Sequence, residues 1–191
     1  MRRFKVAVLV GSLRKGSYSR ALARAMIGLA PETLACEMVA IGELPLYDSD
    51  LEEPPGPPPA WSGFRTAIGA ADAVMFVTPE YNRSVPGALK NALDVGSRPP
   101  GRSVWNGKPA AVVSNSPGAM GGFGANHHLR QSLVFLNMPV LQQPEAYIGH
   151  ADSLLTQAGE FASAGARDYL DGLMKAFAGW IARTASPAAA D

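Results

Sequence analysis

Gly11-Ser12-Leu13-Arg14-Lys15-Gly16-Ser17-Tyr18-Ser19-Arg20 crowds hydroxyls, glycines and cations into one short stretch. It follows an apolar run over 4–10 and precedes Leu22, Ala25, Met26 and Leu29 at helical spacing. Strand, glycine-serine-arginine loop and helix together are the layout of a phosphate site. Glycines let backbone N–H groups turn toward an anion, and a helix start adds about half a positive charge. Ser12, Ser17 and Ser19 offer hydroxyl donors, and Arg14 offers a planar, two-pronged cation.

Three nucleotide readings compete for this loop. A nucleoside triphosphate loop needs lysine directly after its second glycine, to reach the outer phosphates. Gly11 and Gly16 are correctly spaced, but Ser17 follows and Lys15 precedes. A dinucleotide fingerprint needs Gly-x-Gly, and Gly11 is followed by Ser12-Leu13. A single terminal phosphate, as on FMN, suits a small hydroxyl-rich loop. An ordinary turning loop is the plain alternative.

Two more segments carry candidate chemistry. Thr78-Pro79-Glu80-Tyr81-Asn82-Arg83-Ser84-Val85-Pro86-Gly87 closes the most apolar run of the chain. Tyr81 can cover an aromatic ring, and Asn82 and nearby amides can bond its edge. Glu80 reads either as a ring neighbour or as a general base. Ser114-Asn115-Ser116-Pro117-Gly118-Ala119-Met120-Gly121-Gly122-Phe123-Gly124 is rich in glycine, so its backbone can approach a flat ligand.

The elements that must position these loops alternate. Strands are predicted at 4–10, 33–41, 73–78, 109–114 and 139–142. Helices are predicted at 19–29, 60–71, from near Pro86, 126–136 and 164–183. A proline-rich surface loop fills 44–59, and 185–191 reads as a frayed end. The pattern predicts one α/β domain over 1–191: a three-layer sandwich with a five-stranded parallel sheet and helices on both faces. Doubly wound sheets bind ligands beyond their C-terminal strand ends, where strand order reverses. The three polar segments follow strands one, three and four.

Composition narrows the function classes. The chain is 47% apolar and 17% charged with a formal net charge of +1, which points away from nucleic acid and acidic membranes. The apolar run after Met1-Arg2-Arg3 is too short for a leader or a membrane span. Cys36, the single cysteine, excludes an internal disulfide, fits a reducing cytoplasm and reads as a buried, inert thiol.

Taken together, residues 11–19, Thr78-Pro79-Glu80-Tyr81-Asn82, the run 84–94, and Gly121-Gly122 followed by His128-Leu129-Arg130-Gln131 resemble the NADPH-dependent FMN reductase family. Within it the chain is most similar to the bacterial quinone and chromate reductases. The resemblance spans about 5–150. It implies a flavodoxin-like fold, non-covalent FMN, NADPH or NADH as co-substrate, and a homodimer or homotetramer. Ser12, Arg14, Ser17 and Ser19, with Lys15, Gly16 and Tyr18 between them, match the phosphate loop. Pro79, Glu80, Tyr81, Asn82 and Arg83 match the loop beside the ring, and Ser116 and Gly118 the third loop. No residue is assigned to a metal.

Three positions depart from the family pattern. Ser19 stands where asparagine is usual, which shortens the donor's reach. Arg83 stands where relatives are often aromatic or small. Residues 124–127 differ from the commoner pattern, and His127 reads as an exposed helix histidine or as a contact for substrate or a second copy.

The implied chemistry is a shuttle: hydride from NAD(P)H to FMN, then two electrons to a quinone. Chromate, azo and nitro compounds are further acceptors by the same resemblance. Arg83, Arg98 and Arg102 are expected on the flavin side, and Trp105 and the 44–59 loop against a neighbouring copy. A flavodoxin-type electron carrier is the second reading, although such carriers are usually acidic. A reductase supplying reduced FMN to a partner is the third.

Overall fold

The computed structural model describes residues 2–185. The expected frayed end thus lies outside the described residues, apart from Ala185. Five parallel strands form one sheet: β1 (Phe4–Val10), β2 (Leu34–Val39), β3 (Ala73–Pro79), β4 (Ala110–Asn115) and β5 (Ala146–Ile148), in the order β2-β1-β3-β4-β5. This is the flavodoxin-like order, and its reversal falls between β1 and β3.

Alternation along β1 divides the core. Val6, Val8 and Val10 face α1 (Tyr18–Gly28) and α5 (Ala164–Thr184), where Leu170, Leu173, Met174, Phe177 and Ile181 form the expected stripe. Ala7 and Leu9 face α2 (Pro59–Gly69), α3 (Gly87–Gly96) and α4 (Phe123–Phe135). All of β3 up to Thr78 is buried, as a strand covered on both faces must be.

Several predicted boundaries shift. The run 139–142 makes only an isolated bridge from Val140 to Ala110, and β5 forms later, pairing Ala146 with Val113. Pro139 and Pro144 lack N–H donors and interrupt a continuous ladder. The fourth helix starts at Phe123, three residues early, because Gly122 turns the chain at φ 75°. Pro86 caps α3 from outside rather than sitting in its first turn.

Trp105 is completely buried, not a contact for a second copy. Its indole N–H donates to the Leu93 carbonyl at 2.9 Å, and its ring packs edge-on to Phe64. The proline-rich loop includes a short 3-10 turn, Ser49–Glu52, and is strapped to α3 by Asn91. The Asn91 side chain accepts from the Tyr47 amide at 2.8 Å and donates to the Pro45 carbonyl at 3.0 Å. Cys36 is half-buried rather than buried. Burial still pushes its thiol up to about 11, against an opposing pull from Arg3, so the thiolate needed for reaction is scarce near neutrality.

Candidate functional site

Loop one leaves β1 through a close approach. The Gly11 amide donates to the Val77 carbonyl at 2.9 Å, and a Cβ on Gly11 would lie 2.8 Å from Thr78 Oγ1. A side chain there would displace Thr78, at the junction of β1 and β3 where strand order reverses. Ser17 caps α1, its hydroxyl accepting from the Arg20 amide at 3.1 Å. The amides of Tyr18 and Ser19 are left at the open helix end, where an anion is favoured. Arg14 lies over the Tyr18 ring at 4.9 Å and donates to the Gly16 carbonyl.

Ser19 is held differently from the expectation. Its buried hydroxyl bonds to Asn115 at the end of β4, with the Asn115 amide nitrogen 3.0 Å away. The same nitrogen donates to the Thr78 carbonyl at 3.2 Å. Asn115 is 2% exposed and joins the ends of β3 and β4 to the start of α1. Sequence reasoning passed over it. The available signal was an amide at the end of an apolar strand, where burial demands partners.

Loop three is a tight hairpin. Tyr81 and Ser84 exchange both backbone bonds, at 2.9 and 3.0 Å, around Asn82 (φ 51°) and Arg83 (φ 65°). Two successive left-handed residues make a type I′ turn. Asparagine tolerates that conformation, whereas arginine is strained in it. Arg83→Gly should raise stability by about 0.5–1 kcal/mol, the strain released less glycine's added chain entropy. A higher urea midpoint checks this. One oxygen of the Glu80 carboxylate accepts from the Ala125 amide at 3.0 Å, tying the hairpin to the first turn of α4. His128 adds a second tie, with Nδ1 2.7 Å from the Ser84 hydroxyl.

Loop four sets Gly121 against the backbone at the end of β5. A Cβ on Gly121 (φ 59°) would lie 2.5 Å from the Tyr147 carbonyl carbon, and one on Gly149 would lie 2.7 Å from the Ala119 oxygen. Gly121 is thus pressed onto the end of β5, whereas a Cβ on Gly118 would meet only the Ser116 hydroxyl, at 3.9 Å. Ser116 donates from its hydroxyl to the Gly118 carbonyl at 2.9 Å.

Ser12, Arg14, Tyr18, Ser19, Pro79, Glu80, Tyr81 and Ser116 line one cavity of about 270 Å³, joined by Asn115 and Pro117. Lys15, Gly16, Ser17, Asn82, Arg83 and Gly118 flank these residues in the chain without lining it. A larger cavity of about 580 Å³ lies against β2 and α2, among Arg3, Lys5, Cys36, Glu37 and small alanines. It sits away from the strand ends that carry the polar loops. Arg98 and Arg102 are not on the flavin side. They follow α3, whose ten residues carry the chain about 15 Å back toward the N-terminal strand ends. His127 is exposed on α4, with Nε2 2.9 Å from the Tyr147 hydroxyl and its ring beside Phe123.

The cavity has phosphate donors at one end and a proline-tyrosine rim at the other. Residues 4–153 match the profile of the NADPH-dependent FMN reductase family. The chain belongs to that family. It is an oxidoreductase of the flavin class, with FMN as cofactor and NAD(P)H as co-substrate. A quinone reductase of Pseudomonas putida is 59% identical over 178 residues, covering 93% of this chain and 95% of that one. A 2-hydroxy-1,4-benzoquinone reductase of a Burkholderia species is 45% identical over 177 residues, covering 93% and 96%. Among solved structures, the flavoenzyme NAD(P)H:(acceptor) oxidoreductase FerB of Paracoccus denitrificans superposes with a TM-score of 0.89 at 38% identity, covering 96% of this chain and all of FerB.

The residues present fit the flavin. Hydroxyls, open helix amides and Arg14 gather on the β1–α1 side, as a phosphate dianion requires. Pro79, Tyr81 and Pro117 supply flat apolar surface beyond the β3 and β4 ends, as a ring requires. No metal-binding cluster of histidine, cysteine and carboxylates occurs among the described residues.

Proposed function

We propose that this protein is an NAD(P)H:quinone oxidoreductase. The observation that carries the reading is the convergence of loops one, three and four on one cavity at the reversal point of the sheet. Bound FMN would supply the redox chemistry, the two-electron exchange between NAD(P)H and an acceptor. The chain's own residues bind and orient. Ser12, Arg14 and the amides of Tyr18 and Ser19 hold the phosphate, and Ser17 fixes the helix end that aims those amides. Lys15 and Gly16 form the turn over it. Ser19 acts through Asn115 and keeps loops one and four in register. Pro79 and Tyr81 border the ring, with Glu80 and the Asn82-Arg83 turn holding that segment in place. Ser116 and Gly118 close the third side. No side chain is assigned as an acid or base.

Quinones are the acceptor class supported by the named relatives. The protein is read as cytoplasmic, which its one cysteine supports. No described helix is long and apolar enough to cross a membrane. A homodimer or homotetramer is also proposed. Leu46 is 78% exposed on the strapped proline-rich loop, and Phe135 is 88% exposed at the end of α4; both are apolar surface that a second copy would cover.

Arg14→Ala should weaken FMN binding by about 1.5–3 kcal/mol, the range for hydrogen bonds to a charged group. Titration of the stripped protein with FMN checks this, and unchanged affinity would remove Arg14 from the site. The function itself is tested by the visible spectrum. Flavin bands should bleach with NADPH without oxygen and return on adding a benzoquinone. A colourless protein that takes up no FMN would sink the proposal.

A further inference from the structure

Loop one separates the flavin cavity from a second one. Ser12, Arg14 and Ser19 face the first, while their chain neighbours Leu13 and Arg20 face the second, of about 460 Å³. Met38, near the end of β2, and Ile41, just past it, form its apolar wall, Arg24 joins Arg20 on the α1 side, and Glu43 lies at its margin. Leu13 is held against this wall, since a Cβ on Gly42 would lie 3.2 Å from Leu13 Cδ2. Leu13 and Met38 are 50% and 37% exposed, an open apolar surface beside the two cations.

Arg20 and Arg24 stand one turn apart on one helix face. Among the described residues neither is paired with a carboxylate, in contrast to Arg2, Arg65 and Arg167. Two unneutralised guanidiniums beside apolar wall match a phosphate monoester on a sugar that also carries a flat aromatic base. The forked donors suit the dianion, and Leu13 and Met38 suit the ring. Glu43 repels a phosphate at its own edge, so the phosphate is directed to the α1 side. Its carboxylate is also an acceptor for an amine or hydroxyl of the same ligand.

We propose that this cavity receives the adenosine 2′-phosphate end of NADPH, and that Arg20 and Arg24 set the preference for NADPH over NADH. The proposal rests on the flavin reading of the neighbouring cavity. Loop one, whose residues line both cavities, is the segment between them.

The test uses the FMN-loaded protein with 2′,5′-ADP, 5′-ADP and inorganic phosphate as calorimetric probes. 2′,5′-ADP should bind tighter than 5′-ADP by about tenfold or more, the effect of charge-assisted bonds to one phosphate, and should compete with NADPH. Arg20→Ala with Arg24→Ala should lower the NADPH-to-NADH ratio of kcat/KM by about ten- to a hundredfold and remove the 2′,5′-ADP advantage. Arg24→Glu alone, at an exposed position outside the helix cap, should lower the ratio in the same direction. Equal binding of the two ADP isomers overturns the proposal. So does an unchanged ratio in the variants, or inorganic phosphate that binds as tightly as 2′,5′-ADP without competition from NADPH. A chain that takes up no FMN overturns the function proposed above instead, and 2′,5′-ADP binding still decides this cavity.

Discussion

Gly121→Ala should destabilise the protein by about 3 kcal/mol, through left-handed strain added to a backbone clash. Gly121 sits at φ 59°, and an added Cβ would meet the Tyr147 carbonyl carbon at 2.5 Å. The obstacle is main chain of β5, which cannot rotate aside as a flexible side chain would. Relief requires loop four to lift from the sheet. That movement carries Ser116 and the first turn of α4, and with it the amide of Ala125 that holds Glu80. Lower flavin content should therefore accompany the lower urea midpoint. Gly159→Ala is the control: its φ is 81°, but no atom lies within 4 Å of the added Cβ. It should cost only the strain, about 1 kcal/mol. Equal losses in the two variants would show that loop four is not pressed onto β5.

Asn115→Asp should cost about 3 kcal/mol near neutral pH, a typical penalty for an uncompensated buried charge. The substitution replaces an N–H donor by oxygen opposite the Thr78 carbonyl, in a position 2% exposed. Ionised, the new carboxylate faces an acceptor and has lost its water. Protonated, it can donate as the amide does. Its folded-state pKa is therefore raised above its unfolded value. Stability is then retained below the unfolded pKa and lost as pH rises through the folded one. Unfolding free energies measured at about pH 5 and about pH 8 should show a gap from the parent protein that widens at the higher pH. A gap independent of pH would mean that Asn115 is hydrated and does not join α1 to the strand ends. Flavin content should fall with the same pH dependence, because the link from Asn115 to the Thr78 carbonyl is lost while the Ser19 hydroxyl can still donate to the carboxylate.

Much of the fold was legible in local pattern. The apolar run of β3 and the stripe of α5 each depend on residues close in the chain, and each forms as expected. The end of the chain's parallel sheet was harder. Pro-Val-Leu at 139–141 has strand-like composition, yet the hydrogen-bond ladder forms at Ala146–Ile148 because prolines withhold donors on either side of the gap. The start of α4 was hidden by its glycine cap, which carries no side-chain signal.

For the site, the amino-acid sequence by itself determined the three loops and their order on the strand ends, because periodicity and turn residues act over a few positions. Only the tertiary structure decided what each loop residue touches. Ser19 and Asn115 are 96 positions apart, and no spacing rule connects them. Arg98 and Arg102 seemed near the flavin until α3 carried them to the other end of the sheet. Gly121 of loop four meets the backbone of β5 rather than a ligand. Arg20 and Arg24 became a candidate anion site only when the end of β2 came to stand opposite them. Each of these outcomes depends on strand order and register, which are set when distant segments pack and not by any segment alone.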